Sequence, residues 1–234
     1  MSRIIGISRN INLEWLNKVA SLYIADEKDI KTSLNEYLKF EIKSPTNLRK
    51  TREILLNIWV KDNENNIKSK EIAVKLFKSG KDEDKLLAHW CLLISKYPVF
   101  NDICTIIGKM DSRLFTINNR GITEKMFDLW GERSTLFHAI NKNLKTLKDI
   151  GVISPLDTNQ YSVNKFEIKN KEGLILIAKT IISLKDKLYV SIDELNNSPE
   201  FFPFEYNISL DILEESGLFV IDKFGGELVI SNRD

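Results

Sequence analysis

Residues 134–153 read STLFHAINKNLKTLKDIGVI. At about 100° per residue, Leu136, Ile140, Leu144 and Leu147 fall in one apolar stripe, with Phe137 beside it. The opposite face carries Thr135, His138, Lys142, Lys145 and Asp149, flanked by Ser134 and Asn141. Ser134 or Thr135 suits an N-cap, because a hydroxyl can accept from the free N–H groups of the first turn. Gly151 suits the left-handed residue that ends a helix. Two strand-like runs follow, 152–156 and 161–168, joined by the turn residues 157–160. Upstream lie a short strand candidate at 114–117, the turn cluster Asn118-Asn119-Arg120-Gly121, and a helix over 122–130 ended by Gly131. Helix, turn, helix, hairpin is the order of a winged-helix module.

Outward from that stretch, the first 110 residues read as a helical bundle. Apolar residues recur at helical spacing over 12–24, 27–39, 45–60, 67–79, 82–96 and 99–110. Pro45 and Pro98 punctuate the run, and the polar loop 62–66 divides it. Beyond the hairpin a long helix covers 171–187. The pattern then recurs, with a short helix entered at 189–195, a helix at 207–216, and strands 218–222 and 227–231 joined through Gly225-Gly226. Leu144, Leu147 and Gly151, followed by two apolar residues, have the same spacing as Leu210, Leu213 and Gly217, also followed by two. The expected architecture is mainly α: a helical bundle over 1–110, a winged-helix module over 111–170, and a second winged-helix-like α+β unit over 171–234.

The net charge of +1 conceals an asymmetry. Residues 171–234 hold 6 basic and 12 acidic side chains, a balance of −6 that leaves +7 on residues 1–170. A basic body suits a polyanionic partner, and an acidic end does not. On the helix at 134–150, Asn141 has the donor and acceptor that pair with adenine, and Lys142 can reach guanine. Arg133, just ahead of it, suits a phosphate. The candidate DNA-contacting residues are therefore Arg133, Ser134, Thr135, His138, Asn141, Lys142 and Lys145, with Lys165 on the second wing strand. The competing reading is a solvated helix face, since residues 109–170 hold only 10 basic against 7 acidic side chains. Arg49, Lys50 and Arg52 form a smaller basic group that could extend a DNA-binding face, although a solvated helix start is the favoured reading. On the corresponding C-terminal helix, Asp211, Glu214 and Glu215 would be repelled by phosphates, so that unit is expected to meet protein or pack internally.

Several classes are disfavoured. The chain has two cysteines, Cys91 and Cys104, in apolar surroundings, too few for a disulfide scaffold and without metal-ligand spacing. Its two histidines, His89 and His138, lie far apart, and HExxH, CxxC, GxxxxGK[ST] and GxGxxG are all missing. The expectation is a non-enzyme with no cofactor and no metal. No apolar h-region opens the chain and no run reaches a membrane span, so a cytoplasmic protein without membrane contact is expected. The aromatic cluster Phe201-Phe202-Pro203-Phe204 reads as core.

The sequence also resembles the BrxA family of BREX phage-defence systems over about residues 8–155. The likeness lies in the helix Leu16-Asn17-Lys18-Val19-Ala20, in Ser44-Pro45-Thr46 leading to Arg52-Glu53-Ile54-Leu55, and in Ala88-His89-Trp90. It continues through residues 96–102 (KYPVFND), Trp130-Gly131 before Ser134-Thr135, and residues 147–153 (LKDIGVI). The resemblance implies a small, non-catalytic, DNA-binding component of a multi-protein defence system, with a methyltransferase and an ATPase as neighbours. It supplies no set of site residues. Double-stranded DNA is the expected partner, with other defence proteins meeting the acidic C-terminal unit. The alternatives are a protein-interaction scaffold that docks through winged-helix folds, or a transcriptional regulator.

Overall fold

The computed structural model describes residues 7–61, 67–113, 116–185 and 187–233. The expected loop at 62–66, the first two residues of the strand expected at 114–117, and residue 186 of the expected long helix lie outside them. The protein is mainly helical, with small sheets. Six helices come first: α1 (Leu13–Ile24), α2 (Ile30–Leu38), α3 (Pro45–Trp59), α4 (Ile67–Lys78), α5 (Asp82–Lys96) and α6 (Pro98–Asp111). Side-chain caps start the early ones. Asn12, Asp29 and Ser44 each accept from a backbone N–H of the first turn, and Pro45 sits where its missing N–H costs nothing. Pro98 breaks the chain between α5 and α6, which cross at 116°.

α5 is the axis of this part. Every residue from Leu86 to Ile94 is buried, His89 and Trp90 included. A helix buried all round must be covered all round, and α1, α3, α4, α6 and the later α9 (Lys171–Leu184) pack against it. α9 is buried from Gly173 to Ile182. It comes close to α5 at Gly173, where a Cβ would lie 3.1 Å from Leu87 Cδ2. Trp90 Nε1 donates to the Glu200 carbonyl at 3.1 Å, and the Trp90 ring meets Phe100, Phe202 and Phe204 edge-on. Residues 201–204, read as core, are all buried. One apolar core runs without interruption from Ile7 to Ile230.

Between α6 and α9 lie β1 (Ile117–Asn118), α7 (Asn119–Trp130), α8 (Ser134–Asp149), β2 (Ile153–Asp157), β3 (Gln160–Val163) and β4 (Phe166–Glu167). The first three strands form an antiparallel sheet in the order β1-β3-β2. After α9 come β5 (Val190–Ser191), α10 (Ile192–Asn196), a 3-10 turn (Pro199–Phe201), β6 (Phe204–Glu205), α11 (Leu210–Ser216), β7 (Phe219–Phe224) and β8 (Glu227–Asn232). Their antiparallel sheet has the order β5-β8-β7. In both sheets the last strand of the three sits in the middle, beside the first. The helix before each hairpin ends on a left-handed glycine, Gly151 at φ 80° and Gly217 at φ 67°. The β7–β8 turn needs two consecutive residues at positive φ, which Gly225 and Gly226 supply.

Four sequence expectations change. α7 begins at Asn119, because the Asn118 side chain accepts from Gly121 N and turns the presumed loop into a capped first turn. The N-cap of α8 is Arg133, with no side-chain cap bond, and Ser134 is already helical. Phe137 stands 45% exposed instead of joining the apolar stripe. The strand expected at 161–168 divides, because residues 203–205 capture its second half. Phe166 N donates to the Pro203 carbonyl and Ile168 N to that of Glu205, so β4 pairs in parallel with β6. Lys165 thus lies in the connection after the hairpin and not on its second strand.

Candidate nucleic-acid interface

The candidate site is α8, and its surroundings decide which side it presents. The stripe Leu136, Ile140, Leu144 and Leu147 is buried against α6 and α7. A second strip, Ala139, Asn143 and Thr146, is buried as well. It lies under the chain that enters α1: Ile11 N donates to Thr146 Oγ1 at 3.1 Å, and Asn10 Nδ2 donates to Asp149 Oδ2 at 3.1 Å. Asn143 is fully buried there, with its amide donating to the Ala139 carbonyl at 2.6 Å and its Oδ1 without a partner. About half of the helix circumference is therefore covered, and the outward face is narrower than the helical wheel alone suggests.

That face carries Ser134, His138, Lys145 and Lys148, all exposed, with Asn141 half-buried among them. Arg133 and Thr135 are exposed at its N-terminal end. Lys142 is half-buried and turns to the flank nearest the N-terminal segment, where it lines a groove with Arg9 and Lys43. Two candidates are partly engaged. Lys145 Nζ lies 3.1 Å from Asp149 Oδ1, an exposed pair that water and salt can readily exchange for another anion. Asn141 donates to the Phe137 carbonyl at 3.2 Å and accepts from Asn119 Nδ2 at 3.4 Å. One amide hydrogen and one lone pair on Oδ1 of Asn141 remain for a ligand.

Lys165 is placed differently. Its ammonium donates to Asp111 Oδ2 at 2.6 Å and to the Phe202 carbonyl at 2.8 Å. It ties α6 to the segment before β6, remote in role from the outward face of α8. Lys148 was not singled out by the sequence, yet it extends that face toward the hairpin, with its Nζ 5.7 Å from the centre of the Tyr161 ring on β3. The signal was available, since Lys148 falls three residues after Lys145 on the same side of the wheel. The role of residues 147–151 in turning the helix into the hairpin obscured it.

The groups with the most unusual chemistry lie elsewhere and are enclosed. His89 Nδ1 accepts from Trp59 Nε1 at 2.9 Å, which leaves the proton on Nε2, facing Asn17 Oδ1 at 2.9 Å. Burial, with Lys85 adding a smaller push, lowers its pKa to about 3. Burial raises the Cys91 thiol to about 12 and pushes Cys104 well above its ordinary value. Neither cysteine is a thiolate near neutral pH, the form that attacks or binds metal. Among the described residues no three His, Cys, Asp or Glu side chains gather to hold a metal ion, and no single helix is long and apolar enough to cross a membrane. Comparison with known protein families, with curated proteins and with solved structures finds no match.

Proposed function

We propose that residues 98–163 are a winged-helix module and that the protein binds duplex DNA through α8. The observation that carries this reading is the outward face of α8, which gathers Ser134, His138, Asn141, Lys145 and Lys148 beside a hairpin whose sheet has the order β1-β3-β2. α6, β1, α7, α8, β2 and β3 follow one another as the elements of a winged helix do, with α8 in the place of the recognition helix. An α-helix fits the major groove, and a face rich in amide, imidazole and ammonium groups can meet base edges and phosphates there. The resemblance of residues 8–155 to the BrxA family supports a non-catalytic role in a phage-defence system. Arg133 at the start of α8 suits the phosphate backbone.

The C-terminal unit supports a second reading for its own surface, docking to protein. Asp211, Glu214 and Glu215 are exposed on α11, where phosphates would be repelled. Leu188, Tyr189, Val220, Phe224 and Leu228 are large apolar side chains exposed around the β7–β8 hairpin, with the Tyr189 and Phe224 rings 5.3 Å apart. Such a patch suits a protein partner better than a polyanion.

Fluorescence anisotropy of a labelled duplex over a series of salt concentrations tests the α8 reading. Wild type should bind, with affinity falling steeply as salt rises. Lys145→Ala/Lys148→Ala should reduce the slope of log K against log salt by about 2, near 0.9 for each lost phosphate contact. An absence of binding at low salt, or a double variant that binds as wild type does, would overturn it and leave the scaffold reading in front.

A further inference from the structure

The flank of α8 holds a second basic feature that the helix pattern does not disclose. A groove of about 510 Å³ opens between the segment before α1, the loop joining α2 to α3, and α8. Three cationic side chains line it, Arg9, Lys43 and Lys142. They come from parts of the sequence up to 133 residues apart. One carboxylate, Glu41, is also present, and it accepts from Trp15 Nε1 at 3.1 Å. The groove therefore keeps a surplus of positive charge.

The floor is specific as well as basic. Thr51 is 2% exposed as a residue and lines the groove, where it supplies a hydroxyl. A hydroxyl lining a basic groove can donate to an anion seated there. Arg9 is held in place: its Nε donates to Asn47 Oδ1 at 2.9 Å and its Nη1 to the Ser8 carbonyl at 2.5 Å. Those bonds fix the guanidinium plane and leave Nη2 to donate elsewhere. Two ammonium groups, one oriented guanidinium and one hydroxyl donor around a common space match a tetrahedral oxyanion.

We infer that this groove is a phosphate site that seats a backbone phosphate of the duplex lying against α8. The inference rests on the α8 reading and extends it, because Lys142 is shared between the helix and the groove. The N-terminal helical part then becomes part of the DNA interface and fixes the register of α8 on the duplex. Phosphate contacts orient a protein without reading sequence.

The test compares Lys43→Ala and Thr51→Val with wild type in the same salt series, using duplexes of two unrelated sequences. Lys43 is exposed in a loop, so its replacement leaves the core intact. Thr51→Val keeps the shape and removes only the hydroxyl. Lys43→Ala should weaken binding about 5-fold to 10-fold, equally for both sequences, and shrink the salt slope by about 1. Thr51→Val should weaken it a few-fold. If both variants bind as wild type does while Lys145→Ala/Lys148→Ala is impaired, the groove assignment is wrong and the α8 reading stands. If wild type binds no duplex at all, both fall. A parallel thermal melt in inorganic phosphate separates the sources of the anion. Stabilisation that Lys43→Ala abolishes, without any change in duplex binding, would make this a free-anion site and overturn the backbone assignment.

Discussion

Lowering the pH from 7 to 5 should cost this protein about 2 kcal/mol of stability through His89 alone. His89 is 0% exposed, held by the Trp59 indole on one ring nitrogen and by Asn17 on the other, with Trp59 and Phe77 packed edge-on against its ring. No side chain in that setting can receive a second proton without losing the Trp59 bond or desolvating a charge. Its pKa is accordingly lowered from 6.5 to about 3. Because the folded-state value lies below the unfolded one, the native form binds fewer protons. The contribution is complete above about pH 6.5 and is lost as the pH falls toward 3, at roughly 1.4 kcal/mol for each unit below 6.5. Urea unfolding at pH 7, 6 and 5 measures the loss. His89→Gln is the control, since glutamine offers an acceptor to Trp59 and a donor to Asn17 but never charges. The variant will be less stable than wild type at pH 7. The gap should narrow by about 2 kcal/mol at pH 5, because every other titrating group is common to both proteins. A gap that stays constant across that range, or a His89 imidazole that titrates near pH 6.5 by NMR, would refute the buried neutral histidine.

Two further outcomes follow from contacts that tie α6 to residues 199–202. Lys165→Ala should lower stability by about 1 kcal/mol in urea unfolding while leaving duplex affinity within 2-fold, because its ammonium bridges Asp111 and the Phe202 carbonyl. A loss of DNA affinity without a loss of stability would return Lys165 to the interface. Gly108→Ala should destabilise by about 3 kcal/mol or more, since a Cβ there would run into the Pro199 carbonyl and lie 3.0 Å from Phe202 Cβ. A melting temperature equal to wild type would mean that α6 and the Pro199–Phe201 turn can separate at little cost.

Much of this fold was legible because it rests on local rules. Helices α1 to α6 follow from apolar spacing punctuated by Pro45 and Pro98, and Gly151, Gly217 and the Gly225-Gly226 pair mark turns that require positive φ. The start of α7 turns on a local cap, Asn118 accepting from Gly121 N, whereas the differences at β4, Lys165 and the covered side of α8 arise from competition by distant residues. Residues 166–168 have strand character, and the strand they join is β6, supplied some 40 residues later. Lys165 follows them away from the hairpin. The wheel of α8 assigns Thr146 and Asn143 no burial, yet Asn10 and Ile11 cover that side from the start of the chain. The groove formed by Arg9, Lys43 and Lys142 is invisible for the same reason: no local spacing relates three residues on three separate segments. Lys148 is the exception, because its place beside Lys145 on the outward face follows from local helical spacing alone.

The two three-stranded sheets separate what a scaffold dictates from what a surface adds. β1-β3-β2 and β5-β8-β7 have the same order, and the helices before their hairpins end with the same Leu, Leu, Gly spacing. These features are set by burial: Leu144 and Leu147, like Leu213, must face the core, and a glycine must reverse the chain. The exposed positions are under no such constraint. On α8 they hold His138, Lys145 and Lys148, and on α11 Asp211, Glu214 and Glu215. Charge at an exposed position contributes little to stability, so it can diverge between two similar frames at almost no energetic cost. It acts strongly on a polyanion approaching from solvent, attracting it to one frame and turning it away from the other. On this argument, exchanging the charges of the two helices should move the face proposed to bind DNA from α8 to α11 while leaving the fold in place.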